Sequence, residues 1–296
     1  MSDVVPVVFC FDKRIIPGSA VAISSLLNSA KDTTTYDVRI FHSDLSLENQ
    51  KKLSSLAENT RHSIAFHYIA PELFKGLPKS RGSWTEIVYY RFCVPALMPE
   101  YDKVIYSDVD VLFKGDLSEL YHMDTGDSPI GAIRAERNGE NMISHKYFPE
   151  NRSEFIFWSG LLLFNNKKFV EQNTFCKLLD NARFYGNRLK CFDLDLMNLT
   201  LPQIAPLPLN YCVVQSTFYF DYREAREYRF LKDVYSEEEI AASISAPVII
   251  HYAGKLGKPW RMKRPYQDYQ QYLDRLPAGL KKYTFRDLRK KLFNRR

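Results

Sequence analysis

No apolar run in this chain approaches the roughly 18 to 20 residues that a membrane-spanning helix requires, so no spanning helix is expected. The opening MSDVVPVVFCFDKR has no basic segment ahead of an apolar one and no small-residue cleavage site, so no secretory signal is expected. Cysteines are few, odd in number and scattered (Cys10, Cys93, Cys176, Cys191, Cys212), with no Cys-x-x-Cys spacing. That pattern argues against a disulfide framework or a zinc site, and for reduced thiols in a cytoplasmic protein. There is no internal repeat and no low-complexity linker. Basic excess is also missing from most of the chain. The formal net charge is +6, yet the last sixteen residues, KKYTFRDLRKKLFNRR, hold eight Lys or Arg against one Asp, which leaves the rest at −1. A nucleic-acid binder more often spreads positive charge over its folded body, so no nucleic-acid partner is expected.

What is present suits a substantial folded core: 296 residues, 45% hydrophobic and 26% charged. Strand-like and helix-like segments alternate from the start. PVVFCF (6–11) reads as a buried strand, and GSAVAISSLLNS as a helix with Ala20, Ile23 and Leu27 on one face and Pro17 near its start. YDVRIFH (36–42) and SIAFHYI (63–69) read as strands around the helical LSLENQKKLSSLAEN, and TEIVYYRFCVPALM (85–98) as a helix interrupted near Pro95. Further on, PIGAIRA (129–135), FIFWSGLLLFN (155–165) and APVIIHYAG (246–254) read as strands. KKFVEQNTFCKLLDNARF reads as one helix and SEEEIAASIS as a short capped one. Alternating strands and helices predict βαβ units of the kind found in nucleotide-binding sheets. The simplest division is one α/β domain over 1–265 and a C-terminal extension over 266–296.

VIYSDVDVLF (104–113) carries two carboxylates inside an apolar segment that contains no cation. On a strand, residues i and i+2 point to the same side, so Asp108 and Asp110 would aim at one point. Adjacent buried carboxylates repel and would protonate unless a cation compensates. A hard divalent ion, Mg²⁺ or Mn²⁺, does this and shares its oxygen ligands with substrate phosphates. Haloacid dehalogenase-type phosphatases use the same Asp-x-Asp spacing, but near the start of the domain and followed by a Gly-Thr or similar pair. Here about a hundred residues precede it and Val-Leu follows.

HYAGKLGKPW (251–260) follows another apolar strand. His251 at a strand end suits a metal through neutral imidazole. Gly254 and Gly257 would let the backbone approach a bulky anion, and Lys255 and Lys258 would neutralise phosphate.

In this order and spacing, YDKVIYSDVDVLFKGDLSELY, WSGLLLFNNKKF, FDLDLMN and HYAGKLGKPW resemble glycosyltransferase family 8, which includes bacterial lipopolysaccharide galactosyl- and glucosyltransferases and glycogenin. The resemblance runs from PVVFCFDKRIIPGSAVAISSLL to about residue 265. It implies a GT-A fold with a mixed central sheet flanked by helices, a UDP-hexose donor, Mn²⁺ (or Mg²⁺) and retention of anomeric configuration. Position by position, it implies that Asp108, Asp110 and His251 hold the metal. Cys10, Phe11, Asp12 and Ile15 would line the uridine pocket, and Ser107 and Val109 would offer backbone groups to the nucleotide. Gly254, Gly257 and Lys258 would grip the diphosphate, Arg91 would reach the donor phosphate or sugar, Asp193 would bind sugar hydroxyls, and Asp195 would support it from behind.

The pattern departs from the family at three places. Leu194 stands where many relatives carry Gln between the aspartates of FDLDLMN, Trp158 where Asn is common, and Arg134, in GAIRAE, where Asp is common. The last two positions border the donor sugar in the family, so a modified donor site is implied, with Trp158 stacking on a sugar face. Leucine has no lone pair with which to attack, which favours same-face displacement over a covalent sugar–enzyme intermediate. In the tail, Phe285, Leu288 and Leu292 share one helical face beside Phe293, among Arg286, Arg289 and Lys290. This predicts an amphipathic helix for an anionic membrane surface and a peripheral place on the inner face of the cytoplasmic membrane. The polar loop 136–154, with His145, Tyr147, Phe148 and Arg152, is the expected wall of a site for a glycan or glycolipid acceptor. Two other readings remain open on the sequence: a glycogenin-like transferase with a soluble acceptor, and a nucleotide-sugar-binding protein without turnover.

Overall fold

The computed structural model describes residues 3–78, 85–140 and 148–281. A seven-stranded sheet forms the centre, in the order β3-β2-β1-β4-β7-β6-β8. Its strands are β1 (Asp3–Cys10), β2 (Thr34–His42), β3 (Ser63–Tyr68), β4 (Lys103–Ser107), β6 (Ile130–Arg137), β7 (Phe155–Asn165) and β8 (Ala205–Leu207). Only β7 runs against the others, so the sheet is mixed, as the resemblance implies. A second sheet of three short strands has the order β5-β10-β9, from β5 (Val111–Phe113), β9 (Val213–Val214) and β10 (Ile249–His251).

β1 is apolar on both faces because both are covered. Val5, Val7 and Phe9 join one core with the helix Ile16–Asn28 and the second sheet. Val8 and Cys10 join another with Tyr89, Phe92, Leu178 and Met197. This is why its sequence reads as a continuous run rather than an alternation. After β3 the chain crosses back to the other side of β1, where β4 pairs with it in parallel, Phe9 opposite Ser107. The crevice beyond the carboxyl ends of β1 and β4 is therefore the topological switch point, where open α/β sheets bind ligands.

Four expectations change in detail. The Asp-x-Asp stretch is not one strand: β4 ends at Ser107, Asp108–Asp110 make a bend, and Val111 starts a strand of the second sheet. The 85–98 helix is two short helices, Ile87–Tyr90 and Val94–Leu97, joined by a tighter turn at Arg91–Cys93. Pro95 sits in the first turn of the second piece, where its missing N–H costs nothing, so the break falls at Arg91 instead. The helix expected over 167–184 is split into Asn166–Glu171 and Thr174–Tyr185 by Asn173, whose φ of 52° is left-handed. The last strand is shorter than 246–254, covering Ile249–His251. The helix Glu237–Ser245 does carry a capping box between Ser236 and Glu239.

Beyond residue 265, the helix Gln267–Arg275 follows, and Tyr269, Leu276 and Leu280 are buried in the same core as β1. Residues 282–296, with the charged amphipathic pattern, lie outside the described residues, as do His145 and Tyr147. Among the described residues no helix is long and apolar enough to cross a membrane.

At the far edge from the crevice, Asp37 on β2 accepts from Arg39 Nη2 at 2.6 Å, Tyr101 Oη at 2.7 Å and Ser63 Oγ at 2.8 Å. Burial works to raise this carboxyl, but those donors outweigh it and the pKa is lowered. A depressed folded-state pKa contributes stability above the unfolded value, near 3.9, that is lost as pH falls through the folded one. Asp37→Asn should therefore cost about 1–3 kcal/mol at neutral pH. The gap from wild type in urea unfolding should close below about pH 4; a gap independent of pH would refute this assignment.

Candidate active site

At the switch point, β4 continues for one more bond after Ser107: Asp108 N donates to Gly160 O of β7 at 2.8 Å. The chain then bends, and Asp110 O accepts from Tyr252 N at 2.8 Å, one residue past β10. These two bonds pin the aspartates on either side of His251, the last residue of β10. His251 Nε2 lies 3.3 Å from Asp110 Oδ1 and 3.8 Å from Asp108 Oδ2. Convergence of the carboxylates thus comes from the junction of two sheets, not from the pleat of one strand. Ligand atoms of Asp108, Asp110 and His251 lie within 4.8 Å of one another, the only such group among the described residues.

Lys258 Nζ contacts Asp110 Oδ2 and donates to Tyr252 O at 2.9 Å. Burial alone would raise the Asp110 carboxyl; His251 and Lys258 hold it well below the usual carboxylate range. Burial likewise opposes a charged His251 ring, but Asp110 and then Cys212, whose Sγ is 3.3 Å from Nδ1, raise its pKa. The donor set of two carboxylates and one imidazole, charge-compensated here by a lysine, fits a divalent ion that prefers oxygen and tolerates nitrogen. Gly160 leaves the room: a Cβ there would sit 2.6 Å from His251 Cε1 and 3.1 Å from Asp108 Oδ2.

Behind the aspartates lies a buried cation. Arg91, in the tight turn between two short helices, puts Nη1 at 2.8 Å from Asp193 Oδ2 and at 2.5 Å from Ser159 O. Its Nη2 is 3.2 Å from Asp108 Oδ1, and its guanidinium stacks 4.3 Å from the Tyr106 ring centroid. Tyr106 Oη also donates to Asp108 Oδ1, at 2.6 Å. Burial disfavours the Arg91 charge, yet Asp193 and Asp108 around it raise its pKa. Burial pushes the Asp193 carboxyl up while Arg91 pulls against that shift.

The two aspartates, His251, Lys258, Gly160, Arg91 and Asp193 all line one cavity of about 710 Å³. Of the residues expected from sequence, Cys10, Phe11, Asp12, Ile15, Arg91, Asp108, Val109, Asp110, Asp193, His251, Gly254 and Lys258 line it. Ser107 and Gly257 do not: Ser107 is wholly buried in β4, and Gly257 turns its carbonyl to Gln215 Nε2 at 3.1 Å. Asp195 is buried and caps the backbone, accepting from Lys190 N and Cys191 N. Asp12 is held by Arg14, from N at 2.8 Å and Nε at 2.7 Å. Trp158 and Leu194 border the cavity. Arg134 does not: its guanidinium lies 4.5 Å from the Phe155 ring centroid. The β6–β7 register shifts on both sides of Arg134, and the buried Glu136 lines the cavity instead. That irregular register has no signature in the sequence, nor has the close approach that requires Gly160. Of the expected acceptor wall, Phe148 is buried against Tyr185, ring centroids 5.8 Å apart, and Arg152 is exposed.

A family profile described as glycosyl transferase family 8 matches residues 6–264. The chain belongs to glycosyltransferase family 8. Its relatives within the family include a lipopolysaccharide 1,2-glucosyltransferase of Escherichia coli, 27% identical over 256 residues, covering 84% of this chain and 71% of the relative. A lipopolysaccharide 1,3-galactosyltransferase of Salmonella typhimurium is 24% identical over 277 residues, covering 92% and 77%. Among solved structures, the galactosyltransferase LgtC in complex with donor and acceptor sugar analogues superposes with a TM-score of 0.73 at 20% identity, covering 93% of this chain and 98% of that one. This family 8 glycosyltransferase therefore has the GT-A fold that its motifs imply.

Proposed function

We propose that the protein is a metal-dependent, retaining hexosyltransferase that moves glucose or galactose from a UDP-sugar to a lipopolysaccharide or other surface-glycan acceptor. The observation that carries the reading is the group Asp108, Asp110 and His251 beside Lys258, facing the Cys10–Ile15 segment across one cavity. The lipopolysaccharide glucosyl- and galactosyltransferases among the relatives support the sugar and acceptor class. Asp108, Asp110 and His251 would hold Mn²⁺ or Mg²⁺, which when bound supplies Lewis-acid compensation for charge developing on the departing diphosphate.

The chain's own groups do the rest. Cys10, Phe11, Asp12 and Ile15 form the wall for the uridine, and Lys258 adds a point charge for the diphosphate. Arg91 fixes Asp193 and Asp108 relative to each other, so that Asp193 faces the sugar hydroxyls in one orientation. Leu194 borders the cavity without a lone pair, and Asp193 is already engaged by Arg91. Both facts favour same-face displacement. The acceptor oxygen bonds to the anomeric carbon as the bond to the diphosphate oxygen breaks, and that departing oxygen takes the acceptor's proton. Trp158, half-buried at the cavity wall, would stack on a pyranose face. The basic C-terminal stretch would bring a cytoplasmic enzyme to the anionic inner membrane surface where a lipid-linked acceptor lies.

The test is UDP release from a panel of UDP-hexoses with a lipopolysaccharide acceptor, with and without Mn²⁺. Turnover with one donor, lost on chelation and restored by Mn²⁺, is the expected result. UDP binding with no turnover on any donor would leave a nucleotide-sugar-binding protein and overturn the transferase.

A further inference from the structure

Between the cavity and the C-terminal helix lies a buried amide that does not itself line the cavity. Gln215 is fully buried at the start of the helix Gln215–Phe218, directly after β9. Its Nε2 donates to Ala253 O at 2.8 Å and to Gly257 O at 3.1 Å, so one side-chain nitrogen spans the loop that runs from His251 to Lys258. Its Oε1 accepts from Tyr266 Oη at 3.3 Å. Both donors of the amide and one lone pair of its oxygen are then engaged, and the two bridged carbonyls belong to the stretch with two left-handed glycines, Gly254 at φ +84° and Gly257 at φ +91°.

The support continues outward. The Tyr266 ring stacks on Tyr219 at 3.6 Å with the planes 2° apart. Tyr219 Oη donates to Asp268 Oδ1 at 2.7 Å and lies 3.0 Å from Tyr252 Oη. Tyr252 in turn holds Asp110 of the metal group and its neighbour Lys258, its N bonded to Asp110 O and its O accepting from Lys258 Nζ. Tyr266 and Asp268 lie beyond residue 264, where the family match ends.

We propose that Gln215 is the positioning residue that holds loop 253–258 in the shape that receives the donor diphosphate, and that the C-terminal segment supports it through Tyr266 and Tyr219. The inference rests on the reading of this loop as the diphosphate grip. The physical reason is that a loop with two left-handed glycines has many alternative shapes, and an anion needs one of them. Two loop carbonyls bonded to one buried amide select that shape before the ligand arrives.

The isosteric Gln215→Met keeps the volume and removes both donors. In the full chain without ligand, amide exchange over 253–258 should quicken while β1 and β4 stay protected. UDP affinity in Mn²⁺, read by calorimetry, should fall about 10- to 100-fold. The donor KM should rise with it, while kcat at saturating donor moves far less. Lys258→Ala serves as the reference. If Lys258→Ala binds UDP as wild type does, the loop is not the diphosphate grip and the inference falls with that reading. If Lys258→Ala weakens binding but a folded Gln215→Met does not, only the role of Gln215 is overturned. Should Gln215→Met fail to fold, Tyr266→Phe decides: it removes one hydroxyl from a half-buried ring. A several-fold loss of UDP affinity supports the relay, and an unchanged affinity overturns it.

Discussion

Gly160→Ala should sharply weaken metal binding while leaving the protein folded. The added methyl would fall 2.6 Å from His251 Cε1 and 3.1 Å from Asp108 Oδ2, inside the space where the three proposed ligands converge. The backbone cannot retreat to make room. Gly160 O accepts from Asp108 N, and the next residue, Leu161, is paired with Ser107 across β4–β7. The imidazole must move instead, and that breaks its contact with Cys212 Sγ, 3.3 Å from Nδ1. Mn²⁺ affinity, measured by calorimetry or from the free-ion electron paramagnetic resonance signal, should drop at least about 10- to 100-fold, with turnover falling in step. Overpacking at one site costs only about 1–3 kcal/mol, so the thermal midpoint should shift by a few degrees and the fold survive. A Gly160→Ala protein with wild-type Mn²⁺ affinity would show that the ion does not sit among these three residues.

Removing the buried cation behind them has a different signature, because there the loss is of stability and activity together. The side chains of Arg91 and Asp193 are 6% and 8% exposed. Arg91→Met leaves the Asp193 carboxylate with no compensating charge and strips Asp108 of one of its two donors. Breaking a buried pair from one side costs about 3–5 kcal/mol, since the remaining charge stays desolvated. Urea unfolding should show that loss with an unchanged slope, and kcat/KM should fall by at least about 10²-fold. Arg91→Lys should recover little activity: one ammonium cannot reach Asp193, Asp108 and the Ser159 carbonyl at once, as the planar guanidinium does. The double variant Arg91→Met with Asp193→Asn should regain part of the lost stability, because the orphaned charge is gone, yet stay inactive. A loss under about 1 kcal/mol in Arg91→Met would mean that the pair is solvated and the buried arrangement is wrong.

Much of this was legible in the residues themselves. The early strands and helices announce themselves because both faces of β1 are buried, so Val5 to Cys10 form an uninterrupted apolar run. Asp108, Asp110, His251 and Lys258 stand out because carboxylate, imidazole and ammonium at the ends of apolar segments are costly unless they meet one another or a ligand. Other features were hidden. VIYSDVDVLF reads as one strand because Val111–Phe113 are as buried as Val104–Tyr106; that they belong to different sheets depends on β10, more than a hundred residues away. Arg134 held the position suspected by pattern, but the shifts in β6–β7 pairing put Glu136 at the cavity instead. Register irregularities arise from pairing between strands, and no local pattern encodes them.

By itself, then, the sequence determined the alternating α/β pattern and the charged groups at the ends of apolar segments, because those follow from burial, periodicity and the chemistry of residue types; the family, and with it the mixed sheet, followed from the resemblance of its motifs. Only the tertiary structure decided how they meet: the bend at Asp108–Asp110 between two sheets, the Arg91 ion pairs, the bare space at Gly160 and the Gln215 bracket behind the loop. Each of these is a contact between segments far apart in the chain. Distances of that kind are set by how whole elements pack, which short-range pattern cannot carry.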